Sequence, residues 1–446
     1  MIRTFVSRGL ALIAVFAIGL LLLPKPGLAV IKADIITSPG GITAWLVSDP
    51  TIPMMSIEFA FRGGATLDPE GKEGLARMVA GLLDEGAGDL DSQAFYTRLE
   101  ELAVSLSFSH GAESITGTLR TLTETRDEAF ELLAIALTKP RFDSEPVARV
   151  ANQIRVALLR DQERPQTIGG RAMFESLFPD HPYGRTTQGT PEGIGAITRD
   201  DLVGFVEQRF ALDNLVIGVT GDITAEELGP LLDQTFGGLP KTATPWALPE
   251  IQPRTGEKIV IEKAVPQSAI GFAQGAVKRD HPDFFPLFVM NHMLGGGGFT
   301  SRLYDEVREK RGLAYSVGSY LYTLNHSALI LGNAGTQNER VNETLEVIQA
   351  EWQKFRNEGV TQEKLDDAKT YLTGSYPLRF SSSGAISGIL VGLQLSNIGA
   401  DYLENRNSFI EAVTLEDVNR VARQYLTPDR LTMVVVGQPD GIPATQ

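Results

Sequence analysis

The chain reads as an α+β protein of two homologous lobes, each a sheet packed with helices, and three observations carry that expectation. The first is internal repetition. The segment AVTLEDVNRVARQYLTPDRLTMVVVGQ, Ala412 to Gln438, matches Ala196 to Asp222 without a gap. Ala196, Thr198, Asp201, Gln208, Asp213, Leu215, Val219 and Gly221 recur as Ala412, Thr414, Asp417, Gln424, Asp429, Leu431, Val435 and Gly437. An internal duplication is the economical explanation. The second is the interleaving of β-type alternation with helical periodicity in both halves. The third is a shift of composition at Gly237 to Gly256, where Pro240, Pro245, Pro249 and Pro253 make a stiff, extended connector. The expected division is a first lobe over 30–236, a linker over 237–256 and a second lobe over 257–440.

The elements follow in order. ITAWLV and MMSIEFAF are rich in β-formers and end at Gly63-Gly64, which predicts two neighbouring strands. From about Gly74 a helix is expected, because Leu75, Met78, Val79, Leu82 and Leu83 form one apolar stripe. SQAFYTRLEELAV is amphipathic, LSFSHGAESITGTLRT alternates like strands, and ETRDEAFELLAIALTKP is helical up to Pro140. Further helices are expected from Pro146 to Arg160 and after Pro165, then the repeated helix and strand close the half. In the second half KIVIEKAVPQSAIGFAQG mirrors the opening strands, and Pro282 to Leu294 takes the place that Gly74 to Leu83 holds earlier.

Totals exclude several functions. A chain of 446 residues can hold two domains with real cores. Its net charge of −15 is the wrong sign for neutralising phosphates, so no nucleic-acid partner is expected. Without cysteine there are no disulfides, thiolate ligands or cysteine nucleophile. Arg3 and Arg8 precede an apolar run from Gly9 to Leu23 that leads to Gly27-Leu28-Ala29. That is the pattern of a signal peptide over 1–29, with an uncleaved anchor as the alternative. The mature chain is therefore expected outside the cytoplasm, in a bacterial periplasm, with no stable membrane span.

The densest local signal is GGGGFTSRLYDEVREKRGLAYSVGSY, Gly295 to Tyr320. Four glycines mark a tight turn or a close approach of the backbone. Leu303, Tyr304 and Val307 then fall at helical spacing, Gly312 stops the helix, and Tyr315, Val317 and Tyr320 read as strand. Arg308 late in the helix and Tyr315 at the start of the strand can together grip a polarised carbonyl. Helix capping by the Arg and plain packing by the Tyr remain the alternatives. The glycine run lacks the Lys-Ser/Thr ending of a phosphate-binding loop, and no Gly-x-Ser-x-Gly elbow occurs.

LYDEVREKRGLAYSV, with Gly295–Gly298 and Ser301-Arg302-Leu303, resembles the C-terminal-half signature of the pitrilysin/insulinase-type zinc peptidases, which include the mitochondrial processing peptidases. The resemblance extends over nearly the whole mature chain. It implies two lobes enclosing a chamber for an extended peptide. It also implies substrate binding and transition-state stabilisation by Arg308 and Tyr315, with Gly295, Gly296, Gly297 and Gly298 beside the substrate.

The same family carries His-x-x-Glu-His on a helix, two histidines for zinc and a glutamate as general base. Aligned through Gly74-Leu75-Ala76, those positions are Arg77, Ala80 and Gly81. Charged Arg cannot ligate, and Ala and Gly offer no donor atom. The stretch matching the third ligand, Ile154 to Leu159, contains no acid, and His110, His181, His281, His292 and His326 share no helix-turn spacing. All five are read as structural, and no metal is expected in this chain. The resemblance then implies the non-zinc-binding subunit of a heteromeric periplasmic metallopeptidase, not active alone. A homologous partner with His-x-x-Glu-His would hold the zinc, and a peptide would be the substrate. The alternative is a non-catalytic peptide-binding or structural core-type subunit.

Overall fold

The computed structural model describes residues 31–445, so the expected signal segment lies outside the described residues. Among the described residues no helix is long and apolar enough to cross a membrane.

Strands β1 (Asp34–Thr37), β2 (Thr43–Ser48), β3 (Met54–Arg62), β4 (Ser105–His110), β5 (Ser114–Leu122) and β6 (Leu215–Gly221) form one sheet in the order β1-β2-β6-β3-β5-β4. A second sheet contains β7 (Lys258–Glu262), β8 (Gln267–Gly275), β9 (Ala314–Thr323), β10 (Ala328–Gln337) and β11 (Thr432–Gly437), in the order β7-β11-β8-β10-β9. Apart from β1 the two orders correspond strand for strand. In each, the last strand of the half inserts parallel to the first and antiparallel to the second.

Finer details also repeat. Thr198 and Thr414 both close a capping box with an Asp three residues on, which satisfies amides at the start of helices Arg199–Arg209 and Leu415–Tyr425. Phe59 faces Gly117 across the first sheet and Phe272 faces Gly332 across the second. A Cβ on either glycine would collide with the ring, so each glycine lets an aromatic lie flat on its neighbour strand. The α+β duplication is present in the fold.

Each sheet buries one face against its own half's helices and the other against a helix from the opposite half. Helix Pro165–Leu177 sends Ala172, Met173 and Leu177 onto the second sheet, against Ala273, Val434 and Val436. Helix Ser383–Leu395 sends Ile386, Leu390 and Leu393 onto the first sheet beside Trp45. A Cβ at Gly218 of β6 would lie 2.6 Å from the Ser387 carbonyl, so glycine sets the approach of this crossing helix. At the helix C-terminus Arg62 donates to the carbonyls of Leu395 at 2.8 Å and Gln394 at 2.6 Å, which satisfies orphan acceptors and opposes the helix dipole. The halves are therefore interlocked.

Two expected helices differ in extent. The helix from Gly74 ends at Ala80, although Leu82 and Leu83 stay buried; Gly81 caps it and the chain continues as turns. Phe284–Asn291 is an ordinary helix, but His292–Gly296 widens into a π-turn. Helix Ser144–Asp161 covers the expected Pro146–Arg160, and 237–256 holds no helix or strand.

Candidate functional site

The motif helix Leu75–Ala80 begins at Gly74, whose φ of 106° places it in the left-handed region. Asp68, 3% exposed, accepts from the amides of Gly74 at 2.7 Å and Ala76 at 2.9 Å. Arg185 braces the same turn by donating to the carbonyls of Asp68 at 2.9 Å and Thr66 at 3.0 Å. Asp68→Ala leaves two buried amides unpaired and is expected to cost about 2–3 kcal/mol of stability by urea denaturation, with Asp68→Asn retaining part of it.

On that helix Arg77 donates to the Gln188 carbonyl at 3.0 Å, and burial depresses its pKa against the pull of Asp161. Ala80 is buried. Helix Ser144–Asp161 packs so near that a Cβ at Gly81 would lie 3.3 Å from Val150. Its buried face there is Ile154 and Leu158. These residues do not fit a zinc ion: a guanidinium, a methyl group and a glycine stand where donors are needed. Among the described residues no group of three or more His, Asp or Glu is arranged to hold a metal.

The histidines have local roles. His181 Nδ1 accepts from the Tyr183 amide at 3.1 Å, so the ring proton sits on Nε2, 3.2 Å from the Pro249 carbonyl. Tyr183 donates to Glu113, which also accepts from the Asn325 amide at 3.0 Å. The HPYG loop thus joins both halves and the connector. His292 is buried and stacks on Tyr371, and burial lowers its pKa.

Arg308 and Tyr315 stand together. Residues Tyr304–Glu309 form a π-turn, which rotates Arg308 relative to an ordinary helix, and Gly312, with φ of 58°, turns the chain into β9. The Arg308 guanidinium donates to the Tyr304 hydroxyl and lies 4.8 Å from the Tyr304 ring and 4.9 Å from the Tyr315 ring. Phe299 adds a third aromatic face at 6.0 Å. Such stacking fixes the planar cation while leaving N–H groups free to donate. Tyr315 is 82% exposed and Phe299 77%. The helical spacing of Leu303, Tyr304 and Val307 puts Tyr304 in the apolar stripe, and it is buried, yet its hydroxyl holds the guanidinium; the exposed Phe299 has no such signal. The aromatics flanking Arg308 were the available signal.

The glycine run divides. Gly295 is buried, and a Cβ there would lie 2.3 Å from Ser319 Oγ of β9, so packing alone explains it. Gly296 and Gly298 are exposed, and Gly298 has φ of 56°. β9 pairs only with β10, which leaves its outer edge free among the described residues. A cavity of about 580 Å³ lies between the halves, bounded by Asp161, Phe174, Tyr183, Arg185, Tyr322 and Leu324. Neither the Arg308–Tyr315 pair nor the glycine run lines it.

Comparison with known proteins agrees with this arrangement. Residues 196–372 match the family described as "Peptidase M16 inactive domain". The chain is 29% identical to the "Non-peptidase homolog YmxG" of Helicobacter pylori, over 86% of this chain and 89% of that protein. It is 22% identical to a mitochondrial-processing peptidase subunit beta of Lentinula edodes, over 92% and 91%. The crystal structure of a peptidase M16 inactive domain from Pseudomonas fluorescens superposes with a TM-score of 0.86 at 28% identity, covering 93% of this chain and 99% of that one. With a duplicated α+β fold and a motif helix bare of zinc donors, the chain is similar over most of its length to members of the M16 peptidase family and matches that family's inactive domain over residues 196–372.

Proposed function

We propose that this chain is the zinc-less subunit of a two-chain periplasmic metallopeptidase. Its partner would be a homologue with His-x-x-Glu-His, and its own contribution would be Arg308 and Tyr315. The observation that carries the reading is the contrast between two places in the duplicated fold. The motif helix of the first half has no ligating atom, while the second half presents an aromatic-braced guanidinium and an exposed phenol beside a free strand edge. A peptide can pair with the open edge of β9 through its main chain. Fixed N–H and O–H donors next to that edge suit the carbonyl of a bound peptide and the oxyanion that develops on it. Zinc and its activated water would come from the partner.

The relative named a non-peptidase homologue favours a second reading, a peptide-binding subunit with no part in chemistry. One experiment separates the two: affinity purification of the tagged mature chain from its own host, followed by peptide hydrolysis and metal analysis. Co-purification of a zinc-bearing homologue, with hydrolysis absent from the chain alone, is the expected result. If no such homologue and no hydrolysis appear, the peptidase reading is wrong and the binding reading replaces it.

A further inference from the structure

The second half encloses another cavity, also about 580 Å³, with an unusual charge pattern for a protein of net charge −15. Arg279, Arg379 and Arg406 all line it, and no Asp or Glu does. Among the described residues none of the three has a carboxylate within 4 Å, whereas arginines such as Arg126, Arg149, Arg302 and Arg420 are ion-paired. Arg406 is only 5% exposed. Its Nη1 donates to the Leu372 carbonyl at 2.7 Å and to Asn407 Oδ1 at 3.0 Å, and its guanidinium lies 4.4 Å from the Tyr376 ring. Arg279 rests on Phe284 at 3.9 Å and makes no ion pair or hydrogen bond among the described residues. Neutral carbonyls and ring faces are weak compensation for a buried cation, which ordinarily takes a carboxylate partner.

Much of the rest of the wall is apolar or aromatic, and Asn291, His292, Ser319, Thr323 and Ser375 are its uncharged polar and imidazole members. Phe288 and Tyr376 lie inside, and Tyr320, Tyr371 and Leu378 stand exposed around it. The Tyr376 hydroxyl is buried without a hydrogen-bond partner; burial pushes its pKa up to about 12, and the charges of Arg406, Arg379 and Arg279 pull the other way. Three unpaired guanidinium groups select an oxyanion, and the aromatic wall selects an apolar body attached to it.

We propose that this cavity binds a carboxylate carried on an apolar group, with Arg279, Arg379 and Arg406 as its counter-charges. Two sources share that chemistry: a free aromatic or aliphatic acid, and the C-terminal residue of a peptide lying along β9, whose Ser319, Tyr320, Leu321 and Thr323 form part of the wall. Gly296 also lines the cavity, but Arg308 and Tyr315 do not, so the site stands or falls independently of the peptidase reading.

Isothermal titration of the mature chain tests it with four probes: N-acetyl-phenylalanine, N-acetyl-phenylalanine amide, an acetylated alanyl-alanyl-phenylalanine and inorganic phosphate. The two acids are expected to bind and the amide to fail. The exposed Arg379 permits Arg379→Ala without threatening the fold, and that change is expected to weaken binding of the acid by about tenfold or more. Arg279→Gln should act in the same direction, with thermal melts showing both variants folded. Tighter binding of the tripeptide acid identifies a peptide end as the source; tighter binding of the single residue identifies a free acid. Equal binding of acid and amide, preference for phosphate, no binding of either acid, or unchanged affinity in both variants would each overturn the proposal.

Discussion

Arg308→Ala, introduced into the two-chain assembly, is expected to lower kcat/KM for peptide hydrolysis by about 10²–10³, the usual loss when one well-placed oxyanion donor is removed. The fold should not suffer. Arg308 is about a third exposed, its side chain meets only the Tyr304 hydroxyl, the faces of neighbouring aromatics and, at 3.8 Å, Glu309, and surface changes of this kind cost about 0.5 kcal/mol or less. Arg308→Lys keeps the charge but loses the planar stack between Tyr304 and Tyr315, so an intermediate rate is expected. Tyr315→Phe removes one O–H and should cost about tenfold, the worth of a single neutral hydrogen bond. A transition-state role lowers kcat, whereas plain substrate anchoring raises KM alone. Steady-state kinetics on the purified assembly separates these cases, and full activity in Arg308→Ala would remove the pair from the mechanism.

Much of this site was legible because its logic is local. The six residues between Arg308 and Tyr315 span one helix end, one glycine stop and one strand start, and each has a sequence signal. The role of Tyr304 is less legible. A period of 3.6 sends it to the core with Leu303 and Val307, and although Arg308 lies one turn further on, spacing alone does not say that the phenol hydroxyl meets the guanidinium. The barren motif helix was readable from side-chain chemistry alone, since no backbone arrangement gives Ala80 or Gly81 a donor. By contrast, Arg279, Arg379 and Arg406 come from separate stretches of chain, and nothing near any one of them announces the others.

The duplication shows the same boundary between local and long-range information. Thr198 with Asp201 and Thr414 with Asp417 are readable as caps, and they are caps. The exchange of helices between halves is not readable. Ala172, Met173 and Leu177 form an apolar face that suits either sheet, and the choice depends on which sheet offers a free face of the right shape. Gly218 in β6 and Gly169 in the crossing helix make the two contacts complementary rather than identical. In one contact the strand gives way to Ser387, and in the other the helix gives way to Val436. Neither half can be expected to keep its sheet covered alone, which ties the position of the Arg308 edge to the integrity of the first half.

Trp352→Ala is expected to be the most destabilising single change in the second half, costing about 4–5 kcal/mol. Trp352, on helix Val341–Glu358, is fully buried, and its ring meets Phe272 edge-on at 5.5 Å. Phe272 lies flat on Gly332, where a Cβ would sit 1.9 Å from the ring, so one side of that phenyl is backbone and the other is the indole. Truncation opens a large void that this clamped ring cannot fill. It also removes the donor that Trp352 Nε1 offers to Gln274 Oε1 at 2.8 Å. Gln274 is wholly buried and holds the turn after helix Leu415–Tyr425, by donating to the Tyr425 carbonyl at 2.8 Å and accepting from the Thr427 amide at 3.2 Å. That turn leads into β11, which lies between β7 and β8, so loss of the indole loosens the strand that joins β7 to the second sheet. Trp352→Phe keeps most of the volume and loses the hydrogen bond, and about half the cost is expected to remain. Chemical denaturation followed by circular dichroism measures both variants. A Trp352→Ala cost below about 2 kcal/mol would mean that the sheet and its helix relax together, against the close packing that such cores ordinarily show.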